Sequence, residues 1–413
     1  MTGSILSISS KISRTDSLNG PVRHEQHAPQ KTPRQTGALA LYIHWPFCVS
    51  KCPYCDFNSH VRESVDVEEW RKALLADMAY EAELTQGRKL SSIFFGGGTP
   101  SLMPPALVAD LLEAAQQHWG FADDIEITLE ANPNSVEVER FADLAVAGIN
   151  RVSIGVQSFE AEALSFLGRA HDVGEAHRAI ETAQAHFKRV SFDLIYALPD
   201  QSSKDWERQL NHALSFGTGH LSLYQLTIEP GTRFETMVRQ GNFAPANPDH
   251  GAELYELTQA RSIAAGIPAY EVSNHARAGE ESRHNLTYWR YGDYIGIGPG
   301  AHGRRGGTAT QRHKKPENWL SAIARNSHGN QSETPLSSEE RASEALMMGL
   351  RLTEGIDVSA LSERIGLPHE QMIDWQEAEI LAKMGLVSVN QRHITVTPSG
   401  LLLLDAILPK IML

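Results

Sequence analysis

From residue 38 onward the chain alternates between short apolar runs and stretches of helical spacing. Residues 39–44 form an apolar run of strand type. Residues 67–84 place Trp70, Leu74, Leu75 and Met78 on one side of a helix. Residues 93–95 predict a strand that runs straight into Gly96, Gly97, Gly98 and Thr99. A helix over about 105–119 follows, opening with proline where a missing N–H costs little. Further strands are predicted at 125–130, 151–157, 190–197 and 221–227, with helical stretches between most of them. Strands recurring at intervals of roughly 30 residues, with helices between, predict a parallel sheet of βαβ units. Six of them predict an α/β fold, a partial (β/α)6-type TIM-like barrel, over residues 38–307. Glycines and polar residues gather at the predicted C-terminal ends of the strands, where such folds carry their sites.

The pattern changes at both ends of that region. Residues 1–37 are rich in Ser, Thr, Gln and Pro and show no period. They carry Lys11, Arg14, Arg23, Lys31 and Arg34 against Asp16 and Glu25, a net +3. No apolar core of a secretory signal is present in them. They read as a disordered polar tail, and the acid-poor, Ser- and Arg-bearing composition leaves an organellar transit peptide as the other reading. Residues 308–335 are polar and without pattern, and read as a linker. Beyond it, 339–351, 359–365 and 369–384 predict three helices. Residues 387–389 and 394–396 predict a two-stranded wing around 390–392, and a last helix follows Pro398. That order predicts a small winged-helix-like α+β domain over 336–413. No internal repeat is visible.

Composition narrows the classes. The 413 residues are 41% hydrophobic, enough for a substantial core and for two to three domains. A net charge of −13 speaks against a general nucleic-acid binder, and the C-terminal unit has no basic recognition helix. The longest apolar run near the C-terminus, 401–404, is too short to span a bilayer, so no transmembrane anchor is expected. Only three cysteines occur, Cys48, Cys52 and Cys55, within eight positions. An odd, clustered set rules out a disulfide framework and implies a reducing, cytoplasmic location.

The three thiols form C-x-x-x-C-x-x-C in a loop after the first strand, a spacing that can fold around one metal centre. Three cysteine ligands on a 4Fe–4S cluster leave one iron open, where four would close it. The other reading is a zinc site completed by His44 or His60, although zinc sites use paired C-x-x-C spacing and no second pair exists here.

The loop CVSKCPYC after a first strand resembles the radical S-adenosylmethionine (SAM) superfamily. That resemblance implies that the open iron binds the amino and carboxylate groups of SAM. It further implies that an electron from the cluster breaks the sulfonium C–S bond and releases a 5′-deoxyadenosyl radical. Tyr54, between the second and third cysteines, matches the ring that lies near the adenine. FFGGGTPS, about 40 residues on, resembles the glycine motif at the methionine end of the cofactor, with Gly97, Gly98 and Thr99 as contacts. Absence of a Cβ lets backbone groups approach a ligand there. Glu130 in LEANP, Gln157 in SIGVQS, Arg169 in LGRAH and Asp193 in FDLIYALP match the polar positions that contact SAM at later strand ends, and Tyr42 in YIHWPF joins this set. Each of these, read alone, is equally a strand-end residue satisfying backbone.

YIHWPFCVSKCPYCDF, DLIYALP and LYQLTIEPGT together resemble the coproporphyrinogen III dehydrogenase-like branch, over roughly residues 40–405. Two families divide that branch. The dehydrogenases carry a fourth cysteine two residues after the third, and here that position is Phe57. The segment His284 to Trp289 spells HNLTYW, matching the H-N-x-x-Y-W motif of the HemW-type haem chaperones. The resemblance therefore implies a chaperone that binds haem and delivers it to acceptor proteins, respiratory proteins among the candidates, with a separate electron donor for the cluster. His284 is the expected haem ligand and His302 a weaker second, since imidazole is a common axial ligand. A histidine beside Asn and Trp is also an ordinary packing residue. The alternative function is an oxygen-independent coproporphyrinogen III dehydrogenase of porphyrin biosynthesis, which Phe57 makes doubtful.

Overall fold

The computed structural model describes residues 38–413; the predicted tail, with its transit-peptide reading, lies outside the described residues. All six expected parallel strands form. They are β1 Leu39–Trp45, β2 Leu90–Gly97, β3 Phe121–Ala131, β4 Arg151–Gln157, β5 Arg189–Tyr196 and β6 His220–Gln225, adjacent in that order. β1 is buried along all seven residues, and Phe95 of β2 sits between Ile43 and Leu129, as expected of a strand covered on both faces.

Helices cover the sheet and start where the sequence supplies caps. α1, Val67–Leu84, begins at Asp66, whose side chain accepts from the Glu69 amide. It buries Trp70, Leu74 and Met78. α2, Pro105–Trp119, opens with proline. α3, Val173–His186, begins with a reciprocal capping box between Asp172 and Glu175.

The barrel does not close. β1 pairs on its far side with β8, Tyr294–Ile297, in parallel, and β6 is followed by a short antiparallel strand, β7 Asn274–Ala276. Beyond β8 three antiparallel strands extend the sheet to eleven: β9 His302–Arg305, β10 Thr308–Arg312 and β11 Asn330–Pro335.

These last two strands correct the linker expected over 308–335. That stretch supplies β10, a helix at Pro316–Asn326, and β11. β10 pairs with β9 and β11, and the polar β11 forms the edge of the sheet, exposed along most of its length. What anchors it is buried. The Arg312 guanidinium donates to Glu81 at 2.7 Å and to Asp77 at 3.3 and 3.4 Å, and Trp319 stacks on Trp70 with ring centres 5.2 Å apart.

The C-terminal unit has its own apolar core, including Leu346, Leu361, Leu381, Ile394 and Ile407. Its helices include Ser338–Gly349, Val358–Ile365 and Trp375–Lys383, with the expected wing at Val387–Asn390 and His393–Val396. Two details differ from expectation. The helix predicted over 369–384 breaks into a single 3-10 turn, His369–Gln371, and a helix capped by Asp374. The wing also gains a third strand, Ile356–Asp357, paired to His393 and Ile394.

Candidate functional site

The C-terminal ends of β2 to β6 open onto a cavity of about 400 Å³, and the cysteine loop forms its rim. Cys48, Cys52 and Cys55 all line it, together with Phe57. The loop is tied down by Cys55 N–H donating to the Cys52 carbonyl (3.2 Å) and Ser59 N–H donating to that of Phe57 (2.7 Å). Thr99 Oγ1 lies 3.5 Å from the Cys48 sulfur, and Arg169 Nη1 lies 3.4 Å from that of Cys52. Burial raises the Cys48 thiol to about 11 and also raises Cys55.

The glycine run sets how close β2 comes to the loop. Gly98 N–H donates to the Trp45 carbonyl at 2.7 Å, and a Cβ on Gly98 would meet the Phe47 carbonyl oxygen at 2.6 Å. Gly97 has φ +118°, and a Cβ there would lie 2.7 Å from the His44 ring. Neither position tolerates a side chain.

Glu130 accepts from the Gly97 amide at 3.2 Å and lies at the end of β3. Burial, with the Asp193 carboxylate nearby, raises Glu130 to about 7. Asp193, on β5, accepts from Ser153 Oγ at 3.2 Å, and burial raises it too. Arg169 donates to Asn132 Oδ1 (2.5 Å) and to the Gly155 carbonyl (2.9 Å). Burial opposes its charge, but Tyr54 and Cys52 outweigh that and hold the guanidinium above its ordinary value.

Of the expected site residues, the structure brings Tyr54, Gly97, Gly98, Thr99, Glu130, Gln157, Arg169 and Asp193 to this one cavity. Tyr42 is not among its lining. It is 6% exposed, packs against Phe94 and Ala301, and shares a hydrogen bond with His44 Nδ1 (3.0 Å). The sequence reading missed Asn132, Ser153 and Tyr224, which line the same cavity. Asn132 was within reach: it stands two residues after Glu130, at the same strand end.

The cavity suits a polar cofactor beside an iron–sulfur cluster. Gln157 Oε1 and Arg169 Nε are buried without hydrogen-bond partners, although both residues line it, and Gln157 holds a left-handed backbone (φ 68°). Unpaired buried polar atoms and local strain are characteristic of ligand sites. The zinc arrangement is not formed. His44 is committed at both nitrogens, to Tyr42 and to the Asn58 carbonyl (2.9 Å), and His60 Nε2 faces Asn58 Oδ1 at 3.3 Å.

Comparison with known proteins agrees with this geometry. The Radical SAM superfamily model matches residues 42–213. A bovine protein named radical S-adenosyl methionine domain-containing protein 1, mitochondrial, is 39% identical over 395 residues, 92% of this chain and 88% of its own. The chain belongs to the radical SAM superfamily. Membership brings a 4Fe–4S cluster and SAM as cofactors. Residues 336–403 match the HemN C-terminal domain, so this radical SAM protein falls in the branch that carries that domain. Heme chaperone HemW of Bacillus subtilis is 35% identical over 88% of this chain and 96% of its own. The Escherichia coli protein of that name is 46% identical over 64% and 70%. The coproporphyrinogen III oxidase HemN of Escherichia coli shares the fold, with a TM-score of 0.78 over 92% of this chain and 91% of its own, at 23% identity.

HNLTYW forms a short helix, α4, Arg283–Trp289, capped by Ser282. Its N-terminus sits on the Glu126 carboxylate, which accepts from the amides of Arg283 and His284, each at 3.1 Å. The His284 ring is fully buried. Nδ1 shares a hydrogen bond with Ser92 Oγ (3.0 Å) and Nε2 with the Tyr288 hydroxyl (2.6 Å). Burial lowers the imidazole to about 3, so it is neutral. In this structure both nitrogens of the ring expected to meet haem iron are engaged within the protein. His302 is half-buried at the start of β9, its Nε2 3.3 Å from Gln311. Among the described residues no helix is long and apolar enough to cross a membrane.

Proposed function

We propose that this radical SAM protein is a haem chaperone: it binds haem and passes it to acceptor proteins. The observation that carries the reading is the near full-length similarity to HemW of Bacillus subtilis, supported by Phe57 at the cavity wall where the dehydrogenases place a fourth thiol. In the cavity we assign Cys48, Cys52 and Cys55 to the cluster. Tyr54, Gly97, Gly98, Thr99, Glu130, Gln157, Arg169 and Asp193 are assigned to SAM.

The cluster, when bound, supplies an electron and an open iron. The chain's residues do the rest. Gly97 and Gly98 expose backbone to the ligand. Arg169 offers a fixed cation, well matched to a carboxylate. Glu130 and Asp193 offer carboxylates to an ammonium group or to ribose hydroxyls. Phe57 closes the rim with an apolar ring. A reducing compartment, for which we keep the cytoplasm, an electron donor and respiratory-type acceptors belong to the same reading.

The test is anaerobic reconstitution followed by haem titration. One haem per chain with a Soret shift is expected. Absence of binding sinks the chaperone reading, and conversion of coproporphyrinogen III to protoporphyrinogen by the same preparation moves the assignment to the dehydrogenases.

A further inference from the structure

A second cavity, about 660 Å³, lies where α4 meets the C-terminal unit. Its volume is in the range of small-molecule sites. The sequence singled out HNLTYW, yet His284 and Tyr288 face inward. Leu286 and Thr287, from the opposite side of the same helix, line this cleft instead.

The charge of the cleft runs against that of the chain. Net charge is −13 overall, but six arginines line the cleft (Arg88, Arg283, Arg290, Arg304, Arg341 and Arg364) with one acid, Asp293. Four of the six are matched. Arg88 pairs with Asp293 at 2.6 Å, Arg283 with Asp124 at 2.6 Å, and Arg290 with both oxygens of Glu354 at 2.7 and 2.8 Å. Arg304 reaches Glu344 at 3.4 Å and lies 3.5 Å above the Tyr291 ring. The remaining two have no ion-pair partner among the described residues. Arg341 is half-buried, and Arg364 donates only to the Arg290 carbonyl, at 3.2 Å. Arg364 is exposed at the mouth of the cleft, where desolvation and the neighbouring Arg304 lower it against the pull of Tyr291 and Asp293.

Backbone strain marks the same place. Tyr291, which lines the cleft, has φ 55°, and its ring is held by Arg304 while its hydroxyl donates to Glu344 at 2.9 Å. Leu286 and Thr287 line the cleft beside two guanidinium groups that have no ion-pair partner among the described residues, with the Tyr291 ring lying under Arg304. This combination suits a flat apolar molecule with two carboxylates.

We propose that this cleft is where the ligand of the HNLTYW segment docks, with Arg341 and Arg364 pairing the two propionate carboxylates of a tetrapyrrole. The assignment rests on the haem-binding reading above. It locates the carboxylate contacts on the outer face of α4 and on the C-terminal unit, away from the cluster cavity. Guanidinium groups are suited to two-point pairing with carboxylates.

The test uses the full chain, reconstituted anaerobically, as wild type and as the double variant R341Q/R364Q. Neither arginine has an ion-pair partner among the described residues, so Tm is expected to stay within a degree or two. Haem affinity is expected to fall at least tenfold in the double variant. Haem dimethyl ester, whose propionates are blocked, is expected to bind wild type as weakly as haem binds the variant, with no further loss in the variant. Equal haem affinity in both proteins, or equal affinity of wild type for haem and its ester, overturns the proposal. Metal-free protoporphyrin IX, followed by fluorescence, separates the two readings. If haem fails to bind but the porphyrin binds and depends on Arg341 and Arg364, the chaperone reading falls and the cleft stands. If neither tetrapyrrole binds wild type, both fall. Inorganic pyrophosphate competing as strongly as the porphyrin carboxylates also overturns the proposal in favour of a phosphate site.

Discussion

His284 Nε2 lies 2.6 Å from the Tyr288 hydroxyl, one helical turn away, while its Nδ1 faces Ser92 Oγ at 3.0 Å across the sheet. The ring thus joins the HNLTYW helix to the second strand of the barrel. Removing it leaves two buried hydroxyls unpaired, at about 1–3 kcal/mol each. His284→Ala is therefore expected to lower stability by ~2–6 kcal/mol in denaturant unfolding. Ser92→Ala separates packing from ligation. With the ring acting as a packing group, this variant leaves Nδ1 buried without a partner, loses about 1–3 kcal/mol and keeps its haem affinity. Tighter haem binding in Ser92→Ala would show instead that the ring is released to the iron.

Replacing any one of Cys48, Cys52 or Cys55 by alanine should leave the apo fold intact and abolish iron retention. Iron and sulfide analysis, with loss of the broad visible absorption that colours an iron–sulfur protein brown, checks this. An unchanged iron content in any single variant would remove that cysteine from the ligand set.

Arg169 holds its place through Asn132 and the Gly155 carbonyl. A charge-assisted hydrogen bond of the kind assigned to it is worth about 1.5–3 kcal/mol. Arg169→Ala should weaken SAM binding by roughly ten- to hundredfold, with iron content near wild type. Asn132→Ala, which frees the guanidinium to wander, should lie between the two. Equilibrium dialysis with labelled SAM gives both numbers.

Glu130, raised to about 7 by burial, is a carboxyl that keeps its proton in the fold after the unfolded chain has lost it. The contribution to stability is full below the ordinary value near 4.5 and is lost as pH rises towards about 7. The apoprotein should therefore lose up to ~3 kcal/mol over that window relative to Glu130→Gln. SAM is a cation, so its binding favours the ionised form. Affinity should rise from pH 6 to pH 8 more steeply in wild type than in the Gln variant.

Much of this was legible in the sequence because it is local. Each barrel strand announces itself by a run such as Leu39 to Ile43, and the cysteine loop and the glycine run are continuous segments. What was hidden depends on residues far apart. Nothing near His284 says that Ser92, 192 positions earlier, accepts or donates to its ring. The strands at Thr308–Arg312 and Asn330–Pro335 carry no apolar period, because their stability comes from Arg312 meeting Asp77 and Glu81 on a distant helix. Tyr42 alternates inward on a strand covered on both faces, so its hydroxyl meets His44 rather than the cavity.

The strand Leu90–Gly97 carries Ser92 near one end and Gly97 at the other, about 16 Å apart at the rise of an extended chain. It is clamped by hydrogen bonds to neighbours on both sides, and a one-residue slip would turn every side chain to the wrong face. The strand therefore behaves as a stiff ruler: the HNLTYW helix is pinned at one graduation and the glycines facing the cysteine loop at another. The spacing between the Ser92 anchor of His284 and the glycines is thus set by the strand itself.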